Sequence, residues 1–211
     1  TPGNALVFQT VDVVAVDDMV AEGAHTSTIT HSASSSDGNY LDIPIGEVTA
    51  NITDNDAPLI TEVRVSSNSD DAEERASGSM RLTSSDLELV LDGGGDQTVG
   101  LRFNGVDLPQ GATIVNAYLQ FQADETNSVA TSLTIQGEAI DNAPSFSNSG
   151  ADITSRTRTT ASTSWSPSAW TTVGEAGPGQ RTPSIASVVE EIVDRPGWSS
   201  GNSLVVIISG S

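Results

Sequence analysis

The chain has 211 residues, with 28 Asp and Glu against 8 basic residues and a formal net charge of −20. Every basic residue is an arginine, and cysteine is absent. Such a surface repels phosphate backbones and anionic lipid, so neither nucleic-acid binding nor membrane-surface binding is expected. Zinc-thiolate, disulfide-exchange and cysteine-nucleophile chemistry are excluded outright. No apolar run approaches the roughly 20 residues a spanning helix needs, so no membrane insertion is expected.

Hydrophobic residues make up 36% of the chain and charged residues 17%; Ser, Thr, Gly, Asn and Asp fill much of the rest. That mix predicts short strands joined by polar turns, an all-β protein. In chain order, Gln9 to Val16 alternates polar and apolar, the pattern of a half-buried strand. Thr26 to Thr30 and Val48 to Thr53 repeat it. Asp54-Asn55-Asp56-Ala57-Pro58 is an acidic turn closed by proline, and a domain boundary is expected there, giving regions 1–58 and 59–211.

In the second region, strands are predicted at Leu59 to Val65, Leu87 to Leu91, Thr98 to Phe103, Ile114 to Ala123 and Ser132 to Glu138. Gly93-Gly94-Gly95-Asp96 reads as a plain turn. In Ile114 to Ala123, alternation assigns Val115, Ala117, Leu119, Phe121 and Ala123 to the core face. Residues 141 to 180 form a long Ser/Thr-rich stretch, functional or holding short strands. One short helix is predicted near 185–194, capped by Ser184 and carrying Ile185, Val188, Val189, Ile192 and Val193 at helical spacing. Arg195-Pro196-Gly197 ends it, with Trp198 folding back as a seal. Ser203 to Ile208 is continuously apolar and is predicted to be a fully buried strand.

Two resemblances follow from these pieces. Thr1-Pro2-Gly3-Asn4, Gln9-Thr10-Val11, Val16-Asp17-Asp18, Glu22-Gly23 and Ile52-Thr53-Asp54-Asn55-Asp56 resemble the C-terminal part of a bacterial Calx-beta-type repeat. The resemblance implies a partial immunoglobulin-like sandwich with calcium at one pole. Val99 to Phe103, Leu108 to Ile114, Ala117 to Phe121 and the terminal helix and strand resemble the jelly-roll modules of secreted polysaccharide-degrading enzymes and surface proteins. That implies a jelly-roll-like β-sandwich, expected to be truncated at its C-terminal end, in a secreted or cell-surface protein.

The acids suggest sites. Calcium takes six to eight oxygen ligands, largely carboxylates and carbonyls. Asp17, Asp18, Glu22, Asp54 and Asp56 lie on two stretches that meet in the Calx-beta arrangement; a solvated acidic turn is the alternative. Asp71 and Glu73, in the run Asp70-Asp71-Ala72-Glu73-Glu74, share a strand side, and Asp86 and Glu88 lie in the next strand region within approach. They form a second calcium candidate, against the reading of a charged edge strand that resists aggregation. Trp165 and Trp170 are candidates for stacking on sugar, against the reading of buried anchors. Tyr118, on the presumed outward face, is a further stacking candidate. Arg156, Arg158 and Arg181 suit carboxylates or sulfates of an acidic polysaccharide. His25 and His31 read as surface residues.

Catalysis finds little support: there is no Gly-x-Ser-x-Gly elbow, and no carboxylate pair stands out from the many. The chain is therefore expected to be a non-catalytic, extracellular, calcium-binding module that binds carbohydrate or mediates adhesion. Two alternatives remain open. One is a building block of an adhesin or surface filament joined to other copies by strand complementation, since the ends of the chain are expected to leave open sheet edges. The other is an accessory region of a secreted hydrolase.

Overall fold

The computed structural model describes residues 10–16, 21, 23–39, 41–56, 58–93 and 95–211. The chain divides into two compact units, Thr1–Ile60 and Thr61–Ser211, so the division falls beside the acidic turn and its proline. Among the described residues the protein is all-β with one short α-helix. Among the described residues it holds two antiparallel sheets, one two-stranded and one seven-stranded.

In the first unit, β1 (His25–Ile29) pairs antiparallel with β2 (Val48–Ile52), Ser27 opposite Ala50. These are the strands that alternation predicts at 26–30 and 48–53. The predicted strand at 9–16 is not formed over its described residues, and Val11, Val13, Val14 and Val16 are exposed.

The second unit contains β3 (Asp71–Arg75), β4 (Met80–Arg81), β5 (Leu91–Asp92), β6 (Gly95–Phe103), β7 (Leu133–Glu138), β8 (Arg158–Trp165), α1 (Ala186–Val193) and β9 (Leu204–Gly210). The strand order is β4-β3-β6-β9-β7-β8, with β5 also on β6. The sheet is covered on both faces. Leu204, Val206 and Ile208 join Val99, Leu101, Leu133, Ile135 and the helix residues Val188 and Ile192 in the larger core. Val205 and Ile207 point the other way, to Ala72, Phe146 and Ile153. This is why residues 204–208 read as an unbroken apolar run: a central strand packed on both sides has no solvent face to alternate with. Because β9 lies between β6 and β7, it presents no open edge along this run.

Close approach explains two glycines. A Cβ on Gly100 of β6 would stand 2.5 Å from Cζ of Phe146, and one on Gly137 of β7 would stand 2.6 Å from Cδ1 of Ile192. The backbone therefore serves as the packing surface for a ring on one face and for α1 on the other.

The helix buries Val188, Val189, Ile192 and Val193, as its spacing predicts. Its N-cap is Ile185 rather than Ser184, whose hydroxyl only reaches the Ala186 amide at 3.4 Å. Trp198 is buried and donates its indole N–H to the Leu108 carbonyl, sealing the helix end. The Glu191 carboxylate accepts from the backbone amides of Thr160 and Ala161, at 2.8 and 2.7 Å. It thereby occupies donors of β8, the last strand of the sheet, which an added strand would otherwise use.

Several predicted strands differ. Leu59 to Val65 and most of Leu87 to Leu91 are not regular strand. Val90 is buried with φ of 72°, a backbone region that β-branched residues avoid, so the chain bends there instead of extending. The Gln97 amide donates to the Val90 carbonyl at 3.0 Å and holds the bend. Residues 114–123 form no continuous strand. They run antiparallel to the segment before α1 through single contacts, with a bridge between Gln120 and Arg181. Leu119 and Ala123 are buried there and Ala117 and Phe121 pack on the core, as alternation predicts. Val115 is 88% exposed while Ile114 packs inward, so the alternation slips before Ala117.

Candidate functional site

The run Asp70-Asp71-Ala72-Glu73-Glu74 is not a charged edge. β3 lies between β4 and β6, and Asp70, Glu73 and Glu74 are all buried. Strand alternation sends their side chains to different partners. Asp70 accepts from Arg102 Nη1 and Asn104 Nδ2, both at 2.6 Å. Glu74 accepts from the amides of Ile153 and Thr154, each at 2.8 Å, and from the Thr154 hydroxyl. These two acids are satisfied by donors, and their role is to tie β3 to the loops around it.

Glu73 is different. It is 0% exposed and points into the larger core beside Val99, its partner across β6. Its Oε1 accepts from the Glu88 amide and from Gln97 Nε2, each at 3.0 Å. Gln97 Nε2 also donates to the Glu88 carbonyl at 2.8 Å. Both neighbours of that nitrogen are acceptors, which fixes the amide orientation and turns Gln97 Oε1 away from them. The remaining oxygens, Glu73 Oε2, Glu88 Oε2 and Gln97 Oε1, are fully buried and accept no hydrogen bond.

Burial, reinforced by the side chain of Glu88, pushes the Glu73 carboxyl up to about 7. The two glutamates thus sit within hydrogen-bonding reach of each other, with acceptors and no donor between them. Asp71 shares the strand side of Glu73, but its carboxyl is influenced by its own burial, its own backbone and Asp70 rather than by Glu73. Glu88, not Asp71, is the partner of Glu73. Sequence proximity brings Glu88 near; only the bend at Val90 shows how it turns inward.

The first acidic candidate is partly visible. Asp17, Asp18 and Glu22 lie outside the described residues. Asp54 accepts from the Gly23 amide at 2.6 Å and from the Asp56 amide at 2.9 Å. Asp54 therefore draws the stretch after Glu22 to the acidic turn. Among the described residues, no group of three or more His, Cys, Asp and Glu side chains gathers as a metal cluster. The Glu73 group has two carboxylates and an amide, one acid short of such a set. His25 and His31 are exposed, and Nδ1 of each lies against a backbone carbonyl, of Gly23 and of Gly46.

The aromatic candidates separate into two kinds. Trp165 is 6% exposed and stacks on Phe121 with ring centroids 5.8 Å apart. Trp170 is half-buried, tilted against both rings, and gives its indole N–H to the Gly179 carbonyl. These tryptophans anchor residues 114–123 to the core, because a large ring gains more from burial than from a polar loop surface; they do not form an exposed platform.

Tyr118, in contrast, is 45% exposed, and the Arg181 guanidinium lies over its ring at 4.2 Å. Gln120 Oε1 accepts from Arg181 Nε at 3.1 Å. Arg75, Arg81, Arg102, Arg156 and Arg195 all pair with carboxylates. Arg64, Arg158 and Arg181 pair with none among the described residues; of these three, Arg181 is the one set over an aromatic ring. Arg156, the other loop arginine with a clear role, is buried between Glu138 and Asp152 and is unavailable to a ligand.

Comparisons of the chain with protein-family models, with curated proteins and with solved structures found no match.

Proposed function

We propose that this chain is a non-catalytic extracellular module of a larger secreted or cell-surface protein, and that its ligand is an acidic polysaccharide. The observation that carries this reading is Arg181, exposed, without a carboxylate partner among the described residues, lying over the Tyr118 ring and hydrogen-bonded to Gln120. A guanidinium stacked on a ring is pre-organised: its planar fork is fixed before a carboxylate or sulfate arrives, so less entropy is lost on binding. The exposed part of the tyrosine ring offers an apolar surface for the C–H face of a sugar. The strongly acidic remainder of the surface supports selectivity, since it repels an anionic polymer away from the few uncovered cations.

Affinity gels with carboxylated and sulfated polysaccharides test this. Wild-type chain is retarded at low salt, and Arg181→Ala and Tyr118→Ala each lose the retardation. Equal migration of wild type and both variants on every gel overturns the reading.

A further inference from the structure

We propose that Glu73, Glu88 and Gln97 form a binding site for one calcium ion inside the second unit. Three oxygens there, Glu73 Oε2, Glu88 Oε2 and Gln97 Oε1, are buried without a hydrogen-bond partner. Glu73 is 0% exposed and Gln97 4%. A buried acceptor without a donor loses its hydration and gains nothing in return, and two carboxylates side by side add repulsion. A divalent cation removes both costs at once, because it coordinates the oxygens and cancels the two negative charges.

The donor set decides which cation. All three atoms are carboxylate or amide oxygens, the hard ligands of calcium and magnesium, and no nitrogen or sulfur is present to favour a transition metal. Calcium accepts irregular shells of six to eight oxygens, whereas magnesium demands near-ideal octahedral geometry and holds its waters. The three oxygens come from two strands and from the bent segment between them, a scatter that suits the more tolerant ion. The ligands are also braced. Glu73 Oε1 is held by the Glu88 amide and Gln97 Nε2, and Gln97 Nε2 is held in turn by the Glu88 carbonyl. Such second contacts orient the coordinating atoms before the ion arrives.

This inference is independent of polysaccharide binding, which is read by Arg181. The test uses the full chain, stripped with a chelator and titrated with calcium chloride by calorimetry and thermal melting. Wild type is expected to bind calcium with a rise in melting temperature. Glu73→Gln and Glu88→Gln are each expected to weaken the binding of one ion at least tenfold, and Asp54→Asn to keep that ion. Circular dichroism reports whether each variant folds; if Glu73→Gln does not, Glu88→Gln carries the result. Unchanged calcium affinity in the folded glutamate variants overturns the proposal, as does loss of all binding in Asp54→Asn alone. A wild-type chain with no calcium response also overturns it, and leaves a proton shared by the two carboxyls as the solution to their contact.

Discussion

The Glu88 backbone amide donates to Glu73 Oε1 at 3.0 Å, while the outer carboxylate oxygens of both residues are buried without a donor. One residue thus stabilises a charge through its backbone and opposes it through its side chain.

That opposition predicts a pH dependence in the calcium-free protein. The Glu73 carboxyl is raised to about 7, chiefly by burial and then by Glu88. A raised folded-state value means the folded chain holds a proton that the unfolded chain has released. The resulting stability is present below the unfolded value near 4.5 and is lost as pH rises through about 7. Chelated wild type should therefore lose more stability between pH 4.5 and 7.5 than chelated Glu73→Gln, measured by denaturant unfolding. Parallel curves for the two proteins would refute this.

Calcium should reverse the effect. An ion at a hundredfold its dissociation constant adds about 2.7 kcal/mol to a protein it binds only when folded. Coordination requires deprotonated carboxylates, so the calcium-dependent rise in melting temperature should grow from pH 5 to pH 7.5. A rise that is larger at pH 5 would contradict coordination by Glu73 and Glu88.

Asp70→Ala should cost about 3 to 5 kcal/mol, because it strands a buried guanidinium. Arg102 has Asp70 at 2.6 Å as its only carboxylate partner among the described residues and is held in place by the Ala143 carbonyl and Ser203 hydroxyl. Arg195→Ala, at the half-exposed pair with Asp141, should cost about 1 kcal/mol or less. Equal costs in urea unfolding would show that burial does not govern these pairs.

Gly100→Ala should destabilise the second unit by about 1 to 3 kcal/mol, since the new methyl collides with the Phe146 ring. Phe146→Leu in the same chain should recover part of that loss. A double variant less stable than the sum of the two single changes would place the strain elsewhere.

Trp165 and Arg181 should part company. Trp165→Ala removes a buried ring and should cost about 3 to 5 kcal/mol. Arg181→Ala, on the surface, should shift stability by no more than about 0.5 kcal/mol. Matching thermal shifts for the two would overturn the division between core anchor and exposed platform.

The all-β class, the short helix and the buried last strand were legible in the sequence because each depends on local periodicity. Val188, Val189, Ile192 and Val193 repeat at helical spacing, and residues 204–208 are apolar without interruption. Composition alone also determined the acidic surface and the absence of thiol chemistry. Tertiary structure decided what periodicity does not encode. Asp70, Glu73 and Glu74 are adjacent acids of one type, yet one meets Arg102, one meets the amides of Ile153 and Thr154, and one meets Glu88. Trp165 and Tyr118 are both aromatic residues, and only the pairing of residues 114–123 with the segment before α1 puts one inside and the other under Arg181. The reason is physical: alternation sets which way a side chain points, but the partner it finds comes from chain segments distant in sequence, brought there by packing.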